Sequence, residues 1–78
     1  MPEYRFDGSR LRAARKAAGY DNADQLGRAM RRSGSLIKFW ELGYREPSPS
    51  QLAALGVELD VPIESFFVQV DSEQAVAQ

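Results

Sequence analysis

The chain has 78 residues, with ten Lys and Arg against eleven Asp and Glu for a net charge of −1, enough for one small domain near the lower limit of a single apolar core. It contains no cysteine and no histidine, which excludes disulfides and thiolate metal sites, removes the commonest metal ligand and general base, and argues against an enzyme. No apolar run approaches the roughly 18 residues of a membrane span, and no signal-like segment opens the chain, so a cytoplasmic protein is expected.

Residues 1–8 read as an extended arm, with the alternation Tyr4-Arg5-Phe6 docking aromatics on the body. Asp7 or Ser9 caps a first helix over Ser9 to Ala18. Leu11, Ala14 and Ala18 form its narrow buried stripe, and Arg10, Arg12, Arg15 and Lys16 leave its other faces basic. Gly19 closes it. Asn22-Ala23-Asp24-Gln25 fits a capping box, with Asn22 accepting from the Gln25 amide and Gln25 reaching back. The second helix runs from Ala23 to Arg31 with Leu26, Gly27 and Met30 inward. Gly27 costs about 1 kcal/mol relative to Ala inside a helix, which calls for a packing reason.

Ser33 or Ser35 caps a third helix ending at Leu42, where Ile37 and Trp40 share an inward face. Gly43 ends it, and Pro47 keeps the chain from resuming it. Ser48-Pro49-Ser50-Gln51 is a second capping box with Pro at the first helical position. It opens a fourth helix, Pro49 to Leu59, that buries Leu52, Leu55 and Leu59. Asp60-Val61-Pro62 breaks that helix, and Pro62 to Phe67 is a short fifth one in which Ile63, Phe66 and Phe67 close the core. Phe67-Val68-Gln69-Val70 is a candidate strand, open to Tyr4-Arg5-Phe6 or to a second subunit, and residues 68–78 form a strand or a solvated tail. The expected core is Leu11, Leu26, Met30, Ile37, Trp40, Leu52, Leu55, Leu59 and Phe66.

The string Trp40-Glu41-Leu42-Gly43-Tyr44-Arg45-Glu46-Pro47-Ser48 resembles the Ile/Trp-Glu-x-Gly-x-x-x-Pro-Ser signature of the Cro-type phage-repressor (XRE) helix-turn-helix family. The ending Leu-Asp-Val-Pro-Ile-Glu-Ser-Phe-Phe is similar to that family's last two helices, so the likeness covers Leu11 to Phe67. It implies an all-α, compact five-helix repressor-like bundle at residues 9–67, with the helix-turn-helix at 23–42. It also implies a small residue at Gly27 and a largely buried ion pair between Arg15 and Glu41. The turn departs from the family's usual Gly-Val-Ser and reads Arg31-Arg32-Ser33.

On that resemblance the protein is a sequence-specific double-stranded DNA-binding transcriptional regulator that occupies an operator. The second helix of such a motif offers its N-terminal end and one face to the major groove. Here that face holds Gly34, Ser35, Leu36, Lys38 and Phe39, with Ser35 and Lys38 as hydrogen-bonding base contacts and Leu36 and Phe39 as apolar ones. Phosphate contacts are assigned to Asn22, Gln25, Arg28, Arg31, Arg32, Ser33, Tyr44 and Arg45, near helix N-termini and in the flanking turns. Charge is distributed to match: residues 1–45 carry ten bases and five acids, net +5, and the remainder carries six acids and no base. A homodimer is an open arrangement. No catalytic residues, cofactor, metal, small-molecule ligand or membrane partner are expected. The rival expectation is a protein-interaction module, or an antitoxin-like regulator, on the same fold. The acidic pI, the lack of Gln, Asn or Arg for bidentate base contacts, and the apolar Leu36, Phe39 and Tyr44 support it.

Overall fold

The computed structural model describes residues 2–70. In chain order the elements are β1 (Glu3–Phe6), α1 (Gly8–Ala17), α2 (Ala23–Met30), α3 (Gly34–Leu42), α4 (Pro49–Leu59), a 3-10 helix (Ile63–Phe66) and β2 (Phe67–Val70). The protein is mostly helical, but the expectation of an all-α five-helix bundle is overturned, because four α-helices are joined by a two-stranded antiparallel sheet.

The fifth expected helix is a single 3-10 turn for a physical reason. Phe67 pairs with Phe6 at the start of the β1–β2 ladder, which continues to Glu3 opposite Val70. The Asp7 N–H also donates to the Phe66 carbonyl at 2.8 Å. Phe67 is therefore extended (φ −112°, ψ 149°), and the helical segment has no room for a second turn. The strand expected at residues 67–70 thus pairs with the N-terminal arm of the same chain. The expected tail at 71–78 lies outside the described residues.

Local chemistry accounts for the helix ends. Asp7, not Ser9, caps α1: its Oδ1 accepts from the Ser9 N–H at 2.9 Å and from the Ser9 hydroxyl at 2.7 Å, so the helix begins and ends one residue earlier than expected. These two hydrogen bonds stabilise the carboxylate and hold the Asp7 pKa below its ordinary value. Asn22 caps α2 by accepting from Gln25 N–H at 2.9 Å. Gln25 reaches one residue further back than a capping box requires, accepting from Asp21 N–H at 2.7 Å. Ser33, not Ser35, caps α3 through the Leu36 N–H at 3.1 Å. Ser48 and Gln51 form the complete reciprocal box, at 3.2 and 2.8 Å, with Pro49 at the head of α4.

The core comprises Phe6, Leu11, Leu26, Ile37, Trp40, Leu55, Leu59 and Phe66. Met30 and Leu52 were expected inside it, yet both are half-buried at its margin. Phe6 was not among the expected core residues, and the sheet brings it in. It meets Phe67 edge-on at 6.0 Å between ring centroids and Phe66 at 6.4 Å. On the far side of the core the Tyr20 hydroxyl donates to the Glu58 carboxylate, tying the α1–α2 loop to α4. That bond raises the Tyr20 pKa, since the phenol must give up the proton it shares.

Candidate nucleic-acid interface

α2 and α3 meet at a turn that depends on two backbone features. Arg31 takes the left-handed conformation (φ 58°, ψ 43°) that L side chains disfavour, so a non-glycine residue holds a geometry that glycine adopts freely. It lets the Arg32 N–H fold back to the Gly27 carbonyl at 2.7 Å, satisfying the end of α2. Gly27 supplies the space. A Cβ there would lie 2.8 Å from the Arg32 carbonyl oxygen and 3.0 Å from the Gly34 nitrogen, inside normal contact with backbone that cannot move aside. This is the packing reason that Gly27 called for.

α3 is locked in orientation by the Arg15–Glu41 ion pair. Arg15 Nε donates to Glu41 Oε2 at 2.7 Å, and the two side chains are only 5% and 8% exposed. A second guanidinium nitrogen donates to the Tyr20 carbonyl at 2.9 Å, so one side chain ties α1, the α1–α2 loop and α3 together. Such a buried pair orients elements more than it adds net stability.

With α3 held this way, Ser35, Lys38, Phe39 and Leu42 occupy one exposed stripe, at the spacing that lines a helix face. Leu36 departs from its expected role: it is half-buried and packs against the core, because Ile37 and Trp40 rotate that side of the helix inward. Leu42 was missed, although its position seven residues after Ser35 signalled the same face. Among the expected phosphate contacts, Asn22, Arg28, Arg31, Arg32, Ser33, Tyr44 and Arg45 are exposed. Gln25 is half-buried with its carbonyl engaged by Asp21, which leaves only its NH2 group as a donor. Asn22 and Ser33 likewise use an oxygen in capping and keep a donor hydrogen.

A concave cleft of about 610 Å³ lies between α1, the start of α2 and α3. Arg12, Lys16 and Lys38 bring positive charge to it, and Asp21 and Asp24 oppose them. Arg12 and Lys16 were read only as a basic helix face. Their approach to Lys38 follows from the crossing of α1 and α3, which no local pattern encodes. Among the described residues the one ion pair is Arg15–Glu41, so the arginines and lysines around α3 have no carboxylate partner there. Beyond Lys38, the Phe39 and Tyr44 rings face each other with centroids 6.1 Å apart and planes tilted by 54°.

Among the described residues no cluster of three or more His, Cys, Asp or Glu is placed to hold a metal ion. No helix there is long and apolar enough to cross a membrane. Comparison with protein-family models, curated proteins and solved structures gives no match.

Proposed function

We propose that this protein is a sequence-specific double-stranded DNA-binding regulator of the Cro-type helix-turn-helix kind, acting in the cytoplasm by occupying an operator through α3. One observation carries the reading. The outward stripe of α3 is exposed, its helix is locked by a buried ion pair, and Arg28, Arg31, Arg32, Lys38 and Arg45 stand exposed without acidic partners among the described residues. Exposed cations on and beside the open face of α3 suit a polyanion whose groove admits a helix. The free donors of Asn22 and Ser33, at the N-termini of α2 and α3, suit phosphate oxygens that position the domain. Occupancy of a promoter would repress by exclusion.

The exposed Phe39–Tyr44 pair favours the second reading, a protein-interaction module. Leu36 withdraws from that apolar patch into the fold, while the exposed Leu42 joins it. A titration of labelled duplex DNA separates the two. Lys38→Glu is expected to lower affinity by at least about tenfold, the scale of one good base contact, with the thermal transition nearly unchanged because Lys38 is exposed. Wild-type affinity in that variant would remove α3 as the docking face.

A further inference from the structure

We propose that Phe39, backed by Tyr44, selects thymine in the bound DNA by contact with its 5-methyl group. This rests on the DNA-binding reading above and assigns a specificity-determining residue within it. Of the four side chains on the exposed stripe of α3, only Ser35 and Lys38 carry hydrogen-bonding groups. Lys38 offers donors and no acceptor, so it matches guanine O6 and N7 or thymine O4 and cannot receive the amino groups of adenine or cytosine. Phe39 can neither donate nor accept. Set over an amino group, its ring would strip water from that donor without replacing the hydrogen bond. The thymine methyl is the one apolar group that the major groove presents.

The backbone that carries the ring is fixed before binding. Phe39 is 41% exposed, so part of its surface is open to a ligand. The loop after α3 folds onto it: the Tyr44 and Arg45 N–H groups donate to the Phe39 carbonyl at 2.9 and 3.4 Å, and the Tyr44 ring, 73% exposed, leans on it at 6.1 Å. Lys38 and Arg45 flank the pair with exposed positive charge. That setting matches a nucleic acid and would repel a basic protein surface.

The test uses the duplex preferred by the wild-type protein and replaces thymine with uracil, one position at a time, which deletes the methyl and keeps every hydrogen-bonding group. At one position the replacement is expected to weaken binding about fourfold, the value of one buried methyl group. Phe39→Ala is expected to bind more weakly and to be indifferent to uracil at that position. Phe39→Leu, which keeps an apolar contact, is expected to retain the discrimination, with thermal transitions recorded for both variants. A preferred duplex that binds equally well with uracil at every position would overturn the role of Phe39 and leave the DNA-binding reading standing. The same holds if Phe39→Ala keeps the discrimination. Failure to find any preferred duplex would overturn both.

Discussion

Removing the Arg15 guanidinium probes the device that orients α3. Arg15→Ala leaves the Glu41 carboxylate, 8% exposed, without its 2.7 Å partner, and strips the Tyr20 carbonyl of its 2.9 Å donor. The remaining Arg15–Glu41 contact, Nη2 to Oε1 at 3.5 Å, disappears with the same side chain. Breaking one side of a buried pair costs about 3–5 kcal/mol. A domain of this size has a total stability of roughly 4–12 kcal/mol, so the variant loses a large fraction of it. At about 4–8 °C per kcal/mol, the melting temperature should fall by at least about 12 °C. Replacing both partners, Arg15→Met with Glu41→Leu, leaves no stranded charge and should recover most of that loss. Thermal and urea melts followed by far-ultraviolet circular dichroism compare wild type, Arg15→Ala and the double variant. An Arg15→Ala protein melting within about 2 °C of wild type, or a double variant no more stable than Arg15→Ala, would refute the reasoning.

The turn between α2 and α3 makes two opposed predictions. Gly27→Ala should gain about 1 kcal/mol in helix propensity but lose more, because its Cβ meets the Arg32 carbonyl and the Gly34 nitrogen; a net stabilisation in a urea melt would show that the turn yields. Arg31→Gly should stabilise by roughly 1 kcal/mol, the left-handed cost of a side chain at φ 58°, and a lower melting temperature would contradict the strain assigned to Arg31. For Asp7 the folded pKa lies below the unfolded one, so its contribution is complete above the ordinary carboxylate range and lost as pH falls through the depressed value. Asp7→Asn, which retains the cap, should therefore flatten the acid side of the stability profile below about pH 4; an unchanged acid limb in thermal melts across pH would remove that role.

The parts of the fold most legible in the sequence were those governed by neighbouring residues. Ser48, Pro49 and Gln51 specify the start of α4 within four positions, and α4 occupies the span expected of it. The spacing of Ile37 and Trp40 likewise placed the inward face of α3. Pairings between distant residues were harder to read. Ile63, Phe66 and Phe67 have a helical spacing, yet pairing of Phe67 with Phe6 across the whole chain decides that Phe67 is extended. The same long-range sheet carries Phe6 into the core, whereas the alternation of residues 4–6 implied only that the arm's aromatics dock on the body. Within the candidate interface, the family resemblance implied Ser35, Leu36, Lys38 and Phe39 as one outward set; Ser35, Lys38 and Phe39 are exposed, while the half-burial of Leu36 depended on how far Ile37 and Trp40 rotate α3 into the core. Arginine carries no left-handed turn signal of its own, so only the resemblance, whose turn begins with glycine, pointed to the conformation of Arg31; the close approach of Arg32 and Gly34 backbone to Gly27 is a packing detail of the same turn.

The claim that α3 reads DNA is tested most directly by selecting bound duplexes from a random pool at near-physiological salt. The expected result is a consensus sequence that wild-type protein enriches and Lys38→Glu does not, arranged as an inverted repeat if two copies bind together. Binding without a consensus that vanishes at modest salt would reduce the interaction to phosphate contact. Either that outcome or the absence of binding would contradict sequence-specific recognition by this helix.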